Sequence, residues 1–248
     1  AKVDARQLIS WMVGRQAAEA SPRRPGFFKG EALRVEGLSG GRIRDVSFTV
    51  RRGEVFGLAG LVGSGRSEVA RLIFGAHRRD KGSILIDGKE VHARSPREAI
   101  DEGIGLLTED RNRFGLFLQM SVRENISLAT LQTLVRGFLI NRTRETALAE
   151  GFVRWLDIRP PAVDSGVDTL SGGNRQKVIL ARWLSTQSRL FIFDEPTTGV
   201  DVGAKVEIQQ LILRLADEGR GVVVISSDLP ELLALCDRIG VMREGRLS

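Results

Sequence analysis

Glu54–Glu68, EVFGLAGLVGSGRSE, is the stretch from which the rest of the chain is read. An apolar run, Val55 to Ala59, breaks into glycines and then into a helix-compatible sequence, in the order strand, loop, helix. Gly60, Gly65 and Ser67 match the spacing Gly-x-x-x-x-Gly-Lys-Ser/Thr, with Leu61, Val62, Gly63 and Ser64 forming the loop and Glu68 just beyond it. In that pattern, glycines let backbone N–H groups close around phosphates at a helix N-terminus. A Lys reaches the outer phosphates and the hydroxyl ligates Mg²⁺. Arg66 stands where the Lys belongs. Alone, the stretch fits a tight strand-to-helix connection as well as a nucleotide site, so the flanking sequence has to decide.

Two downstream strings supply that context. Leu190 to Phe193 is a continuous apolar run ending in Asp194-Glu195-Pro196, the pattern of a central parallel strand with carboxylates at its tip. Beside a phosphate loop, such an Asp holds Mg²⁺ and the Glu orients or deprotonates an attacking water. Without one, the pair is two solvated carboxylates. Leu170 to Gln176, LSGGNRQ, sets the Ser171 hydroxyl and the amides of Gly172 and Gly173 at the start of a helix expected over Asn174 to Leu184, a second anion-binding N-terminus. A plain helix cap fits the same residue types. Two phosphate cradles in one domain make sense where one serves a nucleotide held by another domain.

The remaining pattern is mixed. Leu33 and Val35 alternate, a turn is expected at Gly37 to Gly41, and Val46, Phe48 and Val50 alternate again before a turn at Arg51 to Gly53. A helix around Ser67 to Phe74 is followed by Ile84 to Ile86 and an Asp87-Gly88 hairpin signal. Ser95-Pro96-Arg97-Glu98 reads as a capping box opening a short helix to Gly103, and Ile104 to Thr108 as a buried strand. A second capping box, Ser121 to Glu124, opens a mainly helical stretch to about Ile158. Val222 to Ile225 is another apolar strand, with a helix from about Gly203 to Glu218 before it. Strands alternating with helices place a ligand at the carboxyl ends of the strands, where the phosphate loop sits.

Composition narrows the function classes. The chain has 248 residues and 42% hydrophobic content, enough for an ordinary core. Cys236 alone forms no internal disulfide, and His77 and His92 are remote from it in sequence, so neither an oxidising compartment nor a Cys/His metal site is indicated. We read the histidines as surface residues, Cys236 as a small buried hydrophobe on the last helix, and Trp11, Trp155 and Trp183 as core or helix-packing residues. No apolar run approaches the roughly 20 residues that cross a bilayer. The net charge of +6 is spread along the chain, which argues against nucleic acid as a partner. Asp4 to Val13 has helical spacing, and residues 15–30, with Pro22, Pro25 and Gly26, read as a linker. With Ala1 and Ser248 at its ends, the sequence reads as a fragment or expressed domain.

Taken together, these strings resemble the ATP-binding-cassette ATPases over essentially Glu31 to Ser248. The phosphate loop, LSGGNRQ, FDEPT, Gly199-Val200-Asp201 and ISSD occur in that family's order. GLVGSGRSE, TEDRNRFGLF, LSGGNRQKV, DEPTTGVDVGAK and ISSDLPELL are similar, more narrowly, to the second cassette of tandem ATPase subunits of bacterial monosaccharide importers of the ribose, galactose and arabinose type. The fold implied is α/β, a P-loop NTPase-like mixed-sheet core with an N-terminal antiparallel β patch and a helical subdomain inserted at about residues 110–165. Residues 1–14 would be the tail of a preceding cassette, 15–30 a linker and 31–248 the ATPase domain.

The resemblance also implies ATP and Mg²⁺ as cofactors, with Ser67, Glu109 and Asp194 as the metal set and Glu195 and Ser227 as the catalytic pair. It implies head-to-tail pairing with the preceding cassette, in which Ser171, Gly172 and Gly173 close over that cassette's ATP. Permease subunits would dock near Phe114 to Met120, a stretch that packing of the helical subdomain explains equally well, and a periplasmic or extracellular sugar-binding protein would act indirectly. The location implied is peripheral, on the cytoplasmic face of the bacterial membrane. The departures are Arg66 for Lys, Glu109 for the usual Gln, and Ser227 for a switch His. In addition, no aromatic follows the Leu33 strand to stack adenine, and Phe27 and Phe28 lie too early to replace it. Slow or absent hydrolysis at this chain's own loop is therefore expected.

Overall fold

Strand β1 (Glu31–Gly40) turns at Gly41-Arg42 into β2 (Ile43–Arg51), and the two pair antiparallel. The turn expected at Gly37 to Gly41 is thus corrected: the strand runs on through Gly40, with register irregularities between Val35 and Leu38 and between Leu38 and Gly40 that absorb its glycines. The structure, a computed structural model, describes residues 28–108 and 115–248. The expected helix Asp4 to Val13 with Trp11, the linker through residue 27, and Glu109 to Phe114 lie outside them.

Next come β3 (Val55–Gly60), α1 (Arg66–Ile73), β4 (Lys81–Ile86), β5 (Lys89–Glu90), α2 (Pro96–Asp101) and β6 (Ile104–Leu107). The Asp87-Gly88 hairpin joins β4 to β5, and the first sheet runs β2-β1-β4-β5. The Ser95 box is only half formed. Ser95 Oγ accepts from the Glu98 N–H, but the Glu98 carboxylate accepts from the N–H of Arg94, one residue before the cap.

The helical segment holds α3 (Val122–Ser127), α4 (Leu131–Leu134), a hairpin of β7 (Val135–Arg136) and β8 (Leu139–Ile140), and α5 (Arg142–Trp155). Here the capping box is complete: the Ser121 N–H and hydroxyl hold the Glu124 carboxyl below the usual carboxylate range. The hairpin breaks what the sequence suggested was mainly helix. Main-chain bonds from Val122 to Ser165, Arg123 to Val163 and Val167 to Met120 draw the two ends of the segment together at its neck.

The chain then forms α6 (Gly172–Ser185), β9 (Leu190–Asp194), α7 (Val202–Asp217), β10 (Gly221–Ile225), α8 (Leu229–Leu235), β11 (Arg238–Arg243) and β12 (Arg246–Leu247). The second sheet runs β12-β11-β3-β10-β9-β6, parallel from β11 to β6 with β12 antiparallel at the edge.

Side-chain alternation explains why β9 and β10 are apolar at every position. Phe191, Phe193, Val222 and Val224 face a core shared with α3, α5, α6 and α7, whereas Leu190, Ile192, Val223 and Ile225 face a core shared with the antiparallel sheet and α1. A strand buried on both faces has no polar side to show. Trp183 packs edge-on against Phe74, whereas Trp155 is 42% exposed and its ring lies against that of Phe152. Cys236 is half-buried just past the end of α8, not fully buried on it.

Candidate functional site

Three neighbouring strands deliver the site. In the sheet β10 lies between β3 and β9, and Leu58, Ile225 and Asp194 stand in one row across them. The chain leaving each strand just past that row supplies the loop after Gly60, Ser226-Ser227, and Glu195. Groups distant in sequence therefore converge at the carboxyl edge of the sheet.

The loop is a built cradle. A Cβ at Gly60 would fall 2.5 Å from the Met242 carbonyl oxygen and 2.6 Å from Ser64 Oγ, so no larger residue fits. α1 begins after Gly65, and its first N–H groups have no intrahelical acceptor. Ser64 Oγ is buried without a hydrogen-bond partner among the described residues. Both observations fit an anion at the loop. Ser67 Oγ donates to Asp194 Oδ1 at 3.0 Å, which joins two hard oxygen groups of the kind that hold Mg²⁺ together with phosphates. The residues present thus fit nucleotide and Mg²⁺, although Glu109 is outside the described residues.

Arg66 does not reach along the loop as the Lys of the pattern would. It is buried, donates Nη1–H to the carbonyl of Ser226 at 2.6 Å, and places Nη2 3.6 Å from Glu195 Oε1. Its longer, forked head carries it past the loop to the ends of β10 and β9. Glu195 is also buried, with φ at 51°, an uncommon conformation for a residue with a side chain. Its Oε1 accepts from the Ser227 N–H at 2.7 Å and its Oε2 from the Thr198 hydroxyl at 3.1 Å. Ser227 therefore meets Glu195 through its backbone, where the sequence pointed to its side chain. Val62, Gly63, Gly65 to Glu68, Glu195, Thr198 and Ser227 line one small cavity.

Ser171, Gly172 and Gly173 are not part of this assembly. Ser171 caps α6, its hydroxyl accepting from the Asn174 N–H at 3.4 Å and from the Asn174 side chain at 2.9 Å, and the helix starts at Gly172, two residues before the expected Asn174, because the cap is the Ser itself. Ser171 and Gly172 are exposed, and a Cβ on Gly173 would lie 3.2 Å from Asp201 Oδ2. In the stretch after residue 114, Leu116 is core while Phe117 and Leu118 are 51% and 41% exposed, so packing and an open surface are divided between neighbours.

Glu231 and Arg42 escaped the sequence reading. Glu231 on α8 is buried and accepts from Thr197 and Ser226, each at 2.8 Å, tying the segment after Glu195 to the end of β10. The available signal was Asp228-Leu-Pro-Glu231, which has capping-box spacing. Asp228 instead pairs with Lys205 at 2.7 Å, which holds its carboxyl below the usual range. Arg42 arches over the loop, donating to the Gly63 carbonyl at 3.1 Å and standing 3.5 Å from Glu68. Phe28 sits 5.8 Å from the Arg51 guanidinium, at the opposite end of β2 from the loop.

Comparison with known proteins gives this geometry its context. Residues 43–198 match the family described as ABC transporter. The chain is 50% identical over 248 residues to the ribose import ATP-binding protein RbsA 3 of Rubrobacter xylanophilus, covering 100% of this chain and 50% of that protein. It is 48% identical over 244 residues to putative ribose/galactose/methyl galactoside import ATP-binding protein 1 of Burkholderia lata, covering 97% and 48%. It thus spans about half the length of the curated relatives it matches. The ADP conformation of an ATP-binding cassette of an ABC transporter, a crystal structure, aligns with a TM-score of 0.73 at 23% identity over 89% of this chain and 90% of that one, a likeness of fold.

Proposed function

This chain belongs to the ABC transporter family, and from that premise we propose that it is an ATP-binding cassette domain of a monosaccharide importer, pairing with another cassette to couple ATP binding and hydrolysis to solute uptake. The observation that carries the reading is the convergence of the phosphate loop, Asp194, Glu195 and Ser227 at one sheet edge. The names of the relatives support a monosaccharide as the solute. Ser67 and Asp194 would hold Mg²⁺, which supplies charge neutralisation at the phosphates when bound. The loop amides hold the phosphates.

This chain's own loop is the weaker of the two sites. Glu195 Oε1 already faces the Ser227 N–H and the Arg66 guanidinium, which lowers its availability to orient a water. The exposed cap at Ser171, with Gly172 and Gly173, then serves ATP on the partner cassette's loop. A second reading, a nucleotide-binding module with no turnover of its own, rests on the same Arg66–Glu195 contact. On either reading the domain works peripherally at the cytoplasmic face of the bacterial membrane. The exposed Phe117 and Leu118 form part of the permease contact, and a sugar-binding protein acts indirectly. No helix of the described residues is long and apolar enough to cross a membrane.

Ser171→Arg tests the pairing. Transport by the assembled importer is expected to fall to background while this chain still folds and keeps its own loop. Unchanged transport would contradict the pairing.

A further inference from the structure

A second cationic cavity lies at the other end of α1, one helix length, about 12 Å, from the phosphate loop. It encloses about 500 Å³ and is lined by His77, Arg78, Arg79, His92, Ala93 and Arg94. Two segments make its walls, one following α1 and one between β5 and α2. They are held in register by direct contact. A Cβ on Gly75 would lie 3.0 Å from the Ala93 carbonyl oxygen and 3.0 Å from the Ser95 nitrogen, so the backbones touch there. Arg79 bridges the walls, donating Nη2–H to the Val91 carbonyl at 2.8 Å with His92 Nδ1 3.2 Å away.

We propose that this cavity binds a phosphomonoester dianion. Arg78 and Arg94 are exposed, line the cavity and have no side-chain ion pair among the described residues. Glu90, 3.8 Å from His92 Nδ1, and Glu98, whose carboxylate accepts from the Arg94 N–H at 2.9 Å, offset two charges against the three guanidinium groups of Arg78, Arg79 and Arg94, leaving the cavity cationic. Two guanidinium forks and imidazole donors match the several oxygens and double charge of a phosphate monoester. The volume is that of a small-molecule site. The phosphate has two possible sources, a soluble phosphorylated metabolite or a monoester phospholipid headgroup, and this inference stands apart from the assignment of the nucleotide loop.

The test uses the histidines. The chain has two, and both line this cavity, so their imidazole NMR signals report on it and not on the phosphate loop. Titration of the chain with glycerol 3-phosphate is expected to shift both signals saturably, with half-saturation at or below about 1 mM. The double variant Arg78→Gln/Arg94→Gln should weaken this at least about tenfold, a loss of roughly 1.4 kcal/mol. Perturbation by phosphatidylcholine vesicles containing phosphatidic acid, but not by phosphatidylcholine alone or by glycerol 3-phosphate, would support the site and assign the lipid source. Absence of a saturable effect with both probes, or an effect that the double variant leaves intact, overturns the proposal.

Discussion

Arg66 keeps the positive charge that a phosphate loop needs and aims it elsewhere. Because Arg66 and Glu195 are both buried, each is the other's compensation for leaving water. Arg66→Met should therefore lower the unfolding free energy by about 3 kcal/mol, and adding Glu195→Leu should recover much of that loss. Urea denaturation of the two single variants and the double variant measures the coupling, and strictly additive losses would dissolve the pair. The substitution itself was legible from the Gly-x-x-x-x-Gly spacing. Where its guanidinium goes was not, because the Ser226 carbonyl and Glu195 that receive it come from strands more than 120 positions later. The basic cavity was missed for a related reason: His77 to Arg79 and His92 to Arg94 are separated in sequence by a strand pair, and the charge looked evenly spread.

At the scale of elements, α6 links the cap at Ser171 to the helical segment. Its Arg182 is buried and donates Nε–H to the Asn125 carbonyl and Nη2–H to Asn125 Oδ1, each at 2.7 Å, while lying 5.7 Å from the Phe117 ring. Burial pushes its guanidinium pKa down to about 10. Arg182→Ala removes both bonds to Asn125 and leaves a cavity where a buried side chain stood, and should cost about 2–4 kcal/mol in urea denaturation. A loss under about 0.5 kcal/mol would show that α3 and α6 do not depend on this clamp. The elements read most surely from sequence, β9 and β10, announce themselves by apolar runs that two cores demand. The β7–β8 hairpin gave no such signal. Val135, Phe138, Leu139 and Ile140 are all exposed, so no buried face imposes a period on them.

Across the whole molecule, the order β3-β10-β9 explains why motifs scattered from Gly60 to Ser227 meet, while Ser171 and Gly172 stand exposed at the start of α6. One phosphate cradle assembled and a second helix N-terminus left exposed support the proposal that this chain works against a partner cassette. The central claim is that the chemistry runs at that partner's loop. Single-turnover ATP hydrolysis by the paired cassettes carrying Glu195→Gln tests it most directly. The rate should stay within about twofold of the unmodified pair, whereas loss of a transition-state interaction at the working site would lower it by about a hundredfold or more. Near-complete loss of hydrolysis from that one change would place the reaction at this chain's own loop and contradict the account.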